Sequence, residues 1–238
     1  MMIDFVRFPD LIDANQDGLL AHGGDLTPDT LVSAYAQGIF PWFNHDQPIL
    51  WWSPDPRLVL YPQDFKTSKS LQKTIRAQKF TFSCDREFSQ VVSACALRGL
   101  TEHADESIDT WIGVSMQQAY QHLHQAGYAH SIEVWQQKKL VGGLYGVALG
   151  KVFFGESMFS RVNDASKLAL RALCDHLSKN NFKIIDCQVA SDHLFSLGAQ
   201  EIPRADFVQI LSNIDIQQAP RDFANEFPAT IAAQTVKT

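Results

Sequence analysis

Two short stretches constrain this chain most: Phe153-Phe154-Gly155-Glu156-Ser157-Met158-Phe159 and Ile184-Ile185-Asp186-Cys187-Gln188. Both are apolar enough to be buried strands, yet each carries an acid or an amide. Side chains alternate along a strand, so Asp186 and Gln188 are expected to share one wall, with Ile185, Cys187 and Val189 on the other. A polar group buried there without a partner costs about 1–3 kcal/mol. The fold must supply partners for these groups from its own side chains or from a substrate.

The surrounding pattern predicts how those strands are held. Strand candidates over 128–135, 139–149 and 151–159, linked by Gln136-Gln137-Lys138 and by Gly150, read as antiparallel hairpins. Asn163 or Asp164 then caps a helix carrying Leu168, Leu170, Leu173 and Leu177. A strand over 182–189, a helix over 192–197, a strand over 199–203 and a helix from Arg204 follow. This order predicts an α+β fold of acyltransferase type, with a mixed, largely antiparallel sheet flanked by helices.

Upstream, Thr27 and Pro28 start a helix that Gly38 stops. The stretch over 38–57 is too rich in tryptophan and proline for a plain strand pair; Trp51 is assigned to the core, and Trp42, between Pro41 and Phe43, to a ligand. A helix over 64–79 would set Lys66, Lys69, Lys73, Arg76 and Lys79 on one stripe. Such a stripe is a docking site for phosphates or, as is commoner for charge runs, a solvated face. A strand over 80–84 and a helix over 87–98 come next, then an acidic loop over 99–110 with Glu102, Asp105, Glu106 and Asp109, and a helix over 111–127 with Trp111, Met116, Tyr120 and Leu123 at core-like spacing. The expected division is a small N-terminal domain over 1–62, a second domain over 63–212 and a mobile tail over 213–238.

A net charge of -6 argues against a general nucleic-acid coat protein, so any RNA contact must be local. Cys84, Cys95, Cys174 and Cys187 form no C-x-x-C pair, and His122 and His124 are wrongly spaced for one helix face, so no metal is expected. The N-terminus lacks a signal pattern and the most apolar run, over 140–155, is broken by glycines and Lys151. A soluble, cytoplasmic, monomeric protein with no membrane partner is expected. An N-acetyltransferase of the GNAT kind cradles the CoA pyrophosphate on a glycine-rich turn at a helix start. Here that turn reads Ser160-Arg161-Val162-Asn163-Asp164-Ala165-Ser166, without glycine and with an aspartate that repels phosphate. Acetyl-CoA is therefore not the expected donor, and no cofactor is assigned.

Several blocks together resemble the leucyl/phenylalanyl-tRNA–protein transferases: Gly23-Gly24-Asp25-Leu26, Gly38-Ile39-Phe40-Pro41-Trp42-Phe43, Trp51-Trp52-Ser53-Pro54-Asp55-Pro56-Arg57, His130-Ser131-Ile132-Glu133-Val134-Trp135, Val141-Gly142-Gly143-Leu144-Tyr145-Gly146, Phe154-Gly155-Glu156-Ser157-Met158-Phe159-Ser160, Asp186-Cys187-Gln188 and Ser196-Leu197-Gly198-Ala199. The resemblance runs over 18–207. It implies a small N-terminal domain on a GNAT-like C-terminal domain. The implied activity moves leucine or phenylalanine, with methionine as a further candidate, from aminoacyl-tRNA to the N-terminal Arg or Lys of a protein, marking that protein for degradation.

Aminolysis of an ester runs downhill, so such a site needs only to align an amine, remove a proton and steady an oxyanion. The resemblance makes Asp186, Gln188 and Glu156 the catalytic candidates. Asp186 would orient Gln188 or hold the amine. An amide oxygen carries no proton at neutral pH, so Gln188 is assigned an orienting role, with the proton leaving through Asp186, a water or the terminal ribose. Glu156 would contact the aminoacyl-adenosine end or read the substrate ammonium. The apolar donor pocket maps onto Leu144, Phe153, Met158, Leu170, Leu173, Leu177 and Ile185, and aromatic contacts to the terminal adenosine onto Trp42, Trp111 and Tyr120. Leu173 and Leu177 stand where family members carry phenylalanine, which would enlarge the pocket. Phe153 and Glu156 face opposite sides of a regular strand, so if both line the site a bulge is required near Gly155. With tRNA as partner, the basic stripe becomes a backbone-reading surface. The competing reading is a non-catalytic RNA- or peptide-binding module.

Overall fold

The computed structural model describes residues 2–44, 46–101, 112–212, 214, 215, 217, 219, 220, 222–225 and 227–231. Trp111 and the acidic residues Glu102, Asp105, Glu106 and Asp109 lie outside the described residues.

The N-terminal part holds β1 (Leu19–His22), α1 (Pro28–Ala36), β2 (Phe40–Pro41) and β3 (Leu50–Trp52). Thr27 caps α1 by accepting the Thr30 N–H, Pro28 occupies the first turn, and the chain leaves through Gly38 at φ +78°. Contrary to expectation, the tryptophan-rich stretch does form short paired strands, in a sheet of order β1-β3-β2. Trp51 is buried, with its indole N–H donated to Gly23 O at 2.9 Å, whereas Trp42 remains 41% exposed.

The chain enters the large sheet earlier than the expected boundary at 62, because β4 (Arg57–Leu60) is already one of its inner strands. The expected helix over 64–79 is shorter. Pro62–Asp64 forms a single 3-10 turn, Ser68 caps by accepting the Leu71 N–H, and α2 spans only Lys69–Arg76. Lys66 and Lys79 thus lie outside it. All five basic residues are exposed, and Lys69, Lys73 and Arg76 fall within an arc of about 60° on the helix.

Next come β5 (Thr81–Cys84), α3 (Phe88–Thr101), α4 (Val114–Ala126), β6 (Ala129–Gln136), β7 (Lys139–Leu149) and β8 (Val152–Ser160). Gln137 and Lys138, both at positive φ, close the β6–β7 hairpin in the sense that suits the twist of paired strands. The chain ends its regular structure with α5 (Ala165–Lys179), β9 (Ile184–Gln188), α6 (Asp192–Ser196), β10 (Gln200–Ile202) and α7 (Arg204–Leu211). The large sheet has the order β10-β4-β9-β8-β7-β6-β5; only β8 and β9 are parallel. This is the mixed, largely antiparallel α+β sheet flanked by helices expected from the strand and helix order.

Strand alternation sorts the core onto two faces. Tyr145, Val147 and Phe154 pack on the side of α3 and α4, while Leu144, Ala148, Phe153 and Ile185 pack on the side of α5. The parallel β8–β9 ladder runs only from Val152↔Ile184 to Phe154↔Asp186, and beyond it the strands separate. None of the described helices is long and apolar enough to cross a membrane.

The expected mobile tail is not free over its described residues. Phe223 and Ile231 are buried, Ala229 O accepts the Phe82 N–H at 2.9 Å, and Gln217 pairs with the backbone of Ile3 through both of its amide atoms at 2.8 Å. Phe223 and Ile231 are the apolar side chains that this polar-looking segment buries, and Phe227 packs half-buried against the same core.

Candidate active site

Where β8 and β9 separate, a cavity of about 250 Å³ opens. Its wall includes Leu144, Phe153, Met158, Leu170, Leu173 and Ile185, with Trp42 from the N-terminal part and with Glu156, Ser157 and Gln188 among its polar residues. Leu177 does not reach it. One helical turn beyond Leu173, it is fully buried in the core beneath α5. Sequence reading missed Phe40, Pro41, Tyr145, Gly155, Ser157, Cys187, Val189 and Leu194 in the lining. The last three follow from the way β9 ends.

Glu156 reaches the cavity through a strand irregularity. Tyr145 pairs with Ser157, but the next residue, Gly146, pairs with Gly155, so Glu156 is the extra residue on β8. This is the bulge required for Phe153 and Glu156 to line one cavity. Gly146 is needed opposite it, because a Cβ there would lie 2.2 Å from Phe154 O.

Glu156 collects three donors. Its Oε1 accepts Tyr35 O–H at 2.7 Å and Gln188 Nε2–H at 3.0 Å, and its Oε2 accepts Tyr120 O–H at 2.5 Å. Burial pushes the carboxyl up; the Tyr120 and Tyr35 hydrogen bonds pull it back, the Asp186 charge raises it and the Gln188 amide lowers it, leaving it at about 7. Burial and the Glu156 charge hold both phenols well above their ordinary range, so they stay protonated. The two hydroxyls also lie 2.6 Å from each other. With the carboxyl ionised both phenols donate to it and their mutual contact lacks a proton; when the carboxyl is protonated it donates to one phenol, which donates to the other, and the ring closes. Tyr120 is fully buried and presents no face to a nucleoside, so its expected stacking role is replaced by this hydrogen bond.

Asp186 is placed differently from expectation. It is fully buried and absent from the cavity wall, paired with Arg57 through Nε to Oδ1 at 2.8 Å and Nη2 to Oδ2 at 2.7 Å. The Arg57 guanidinium also donates to Gly38 O at 3.2 Å and lies over the rings of Phe40 and Phe207 at 4.7 and 4.8 Å. Asp186 Oδ1 accepts one more bond, from the Gln188 N–H at 2.9 Å. Gln188 sits at φ +66°, closed by Val189 N–H to Cys187 O at 2.9 Å. This left-handed turn breaks the expected alternation, so Gln188 joins Ile185 and Cys187 at the cavity while Asp186 stays in the core. Neither Arg57 nor Tyr35 carries a local sequence signal; only the fold brings them here.

The sequence profile described as Leucyl/phenylalanyl-tRNA protein transferase matches residues 59–212, and the one for the Leucyl/phenylalanyl-tRNA protein transferase N-terminal domain matches residues 24–55. A leucyl/phenylalanyl-tRNA–protein transferase of Aromatoleum aromaticum is 55% identical over 197 residues, covering 83% of this chain and 81% of that one. The chain belongs to this family. Further family members are equally near: that of Hydrogenovibrio crunogenus is 55% identical over 208 residues (87% of this chain, 78% of that one), and that of Nitrosospira multiformis 54% over 209 (87% and 88%). A GCN5-related N-acetyltransferase from Kribbella flavida overlaps with a TM-score of 0.37 at 11% identity, covering 69% of this chain and 56% of that one; the sequence relatives, not this overlap, carry the assignment. The two profile matches include Glu156, Asp186 and Gln188 as well as Tyr35.

Proposed function

We propose that this chain transfers leucine or phenylalanine from aminoacyl-tRNA to the N-terminal Arg or Lys of a protein, marking it for degradation. The observation that carries this reading is an apolar cavity of about 250 Å³ with the Glu156–Gln188 pair at its wall. A dry cavity of about 150 Å³ accepts benzene, so this one has room for a phenylalanyl or leucyl side chain. The amino acid's own side chain thereby fixes the ester carbonyl near the polar groups. Trp42, exposed at the rim, stacks on the terminal adenosine, and the exposed Lys69, Lys73 and Arg76 bind tRNA phosphates.

Gln188 donates its amide N–H to Glu156, which leaves its Oε1 to accept a hydrogen bond from the attacking amine. The amine nitrogen bonds to the ester carbon as the carbon–oxygen bond to the ribose breaks. The proton released by the amine ends on the ribose oxygen. Glu156 is the carrier we assign to it, because a carboxyl near 7 both takes and returns a proton at neutral pH. Asp186 is a poorer carrier on this reading: it lies behind the cavity wall, fully buried in its ion pair with Arg57, whereas Glu156 lines the cavity beside Gln188. It acts on the reaction by holding Gln188 in place.

The test is transfer of radiolabelled leucine from leucyl-tRNA to a peptide beginning with Arg, beside the same peptide beginning with Ala. Label on the Arg peptide alone supports the reading. No label on either contradicts it, and tRNA binding without transfer would favour the binding-module alternative.

A further inference from the structure

We infer that the segment of residues 222–225 and 227–231 sets the depth of the donor pocket, with Phe223 as the residue that determines how well phenylalanine is used relative to leucine. The segment lies beyond the stretch matched by the family profile, which ends at residue 212. Phe153, whose ring lines the cavity, is held from two sides. On one side is the Gly146 backbone, so close that a Cβ there would stand 2.6 Å from Phe153 Cε1. On the other is Phe223, its ring 5.7 Å from that of Phe153 and inclined by only 23°.

Phe223 cannot itself retreat. It is 4% exposed, stacked on His130 at 4.3 Å and met edge-on by His176 at 5.1 Å and Phe182 at 5.8 Å. The segment is tied to the body by Ala229 O accepting the Phe82 N–H and by Ile231 O accepting Gln78 Nε2–H at 3.3 Å. Close-packed rings transmit a change in volume to their neighbours. Removing the Phe223 ring therefore gives Phe153 somewhere to move, and the cavity deepens on the α5 side. The larger of two donor side chains gains more from that space than the smaller.

This inference rests on the cavity being the donor pocket, and the experiment separates the two. Transfer to an Arg peptide is measured with phenylalanyl-tRNA and with leucyl-tRNA for the full-length wild type, Phe223→Ala, Phe223→Leu and Phe227→Ala, each checked by thermal melting. Phe223→Ala is expected to raise the Phe-to-Leu ratio of kcat/KM by about tenfold, the low end of what one methylene-sized change in a pocket produces, and Phe223→Leu by less. Phe227 meets His176 at 5.0 Å rather than Phe153, and Phe227→Ala should leave the ratio unchanged. A ratio that stays put while both rates fall overturns the inference, since that is what loss of general stability does. If Phe223→Ala fails to fold, Phe223→Leu decides by the same criterion. Should the wild type transfer neither amino acid, the donor-pocket reading itself falls, and this inference with it.

Discussion

Arg57 and Asp186 stand 129 residues apart in sequence and meet in a fully buried, two-pronged ion pair directly behind the turn that presents Gln188. The pair spans β4 and β9, neighbours in the large sheet, and the guanidinium's further bond, to Gly38 O, reaches the segment leading to Trp42. A buried ion pair is thus built into the joint between the two parts of the chain, in hydrogen-bond contact with the backbone of Gln188.

Removing one partner leaves the other charge buried and unpaired. Arg57→Ala should destabilise the fold by about 3–5 kcal/mol in denaturant unfolding, several times the cost of a surface substitution. Asp186→Asn, which keeps the shape and one acceptor oxygen, should fold better than Asp186→Ala yet transfer slowly. Wild-type stability in Arg57→Ala would refute the assigned role of the pair.

Glu156 gives a pH signature whose sign follows from its raised carboxyl. The folded protein keeps this proton up to about 7, whereas the unfolded chain releases it near 4.5. Between those values the native state binds more protons, so this group's contribution to stability is full below 4.5 and is lost as pH rises through 7. Glu156→Gln should flatten that decline in thermal melts. In transfer assays the carboxylate is the acting form, so its ionisation should add a rise through about 7 to that of the attacking amine at about 8, and Glu156→Gln should leave only the amine's inflection. An unshifted profile in that variant would remove Glu156 from proton transfer.

Leu173 lines the cavity and Leu177 does not. Leu173→Phe should therefore cut use of phenylalanyl-tRNA relative to leucyl-tRNA by roughly tenfold, the scale set by a methylene-sized misfit. The same change at Leu177, in the close-packed core, should cost stability instead, by about 1–3 kcal/mol. An unchanged preference in Leu173→Phe would place the donor side chain elsewhere.

The exposed stripe on α2 makes a claim about salt. Taking one cation away from a phosphate should lower the slope of log affinity against log salt by about one, so Lys73→Ala and Arg76→Ala should each weaken tRNA binding and flatten that slope. Binding curves identical to wild type at two salt concentrations would reduce the stripe to solvated surface.

Much of this was legible where the information is local. The meander through 128–160 follows from period-2 apolarity and short polar links, and the bulge follows from the three-residue spacing of Phe153 and Glu156 once both are required at one site. Helix α2 came out shorter because Pro62 and the Ser68 cap outweigh the spacing of the lysines. What stayed hidden depends on distant pairings. Tyr35 and Arg57 draw no site assignment from the sequence, Tyr120 is expected at the terminal adenosine, and none has a periodic signal that names Glu156 or Asp186 as its partner. The left-handed Gln188 was equally illegible, since glutamine has no preference for positive φ and the Asp186 carboxylate that accepts its N–H is itself fixed by Arg57. The burial of Phe223 and Ile231 is not legible in a segment whose Gln, Ala, Pro and Thr content reads as a tail, because it depends on distant partners such as His130 and Phe153.

The most direct test of the account is the single-turnover rate of Gln188→Ala at saturating leucyl-tRNA with an Arg peptide, measured beside its tRNA affinity. Removing one positioned hydrogen-bonding group at the reacting centre should slow transfer by about 100-fold or more while tRNA affinity stays near wild type. Transfer at the wild-type rate would contradict the claim that the Glu156–Gln188 pair holds the esterified amino acid within reach of the amine.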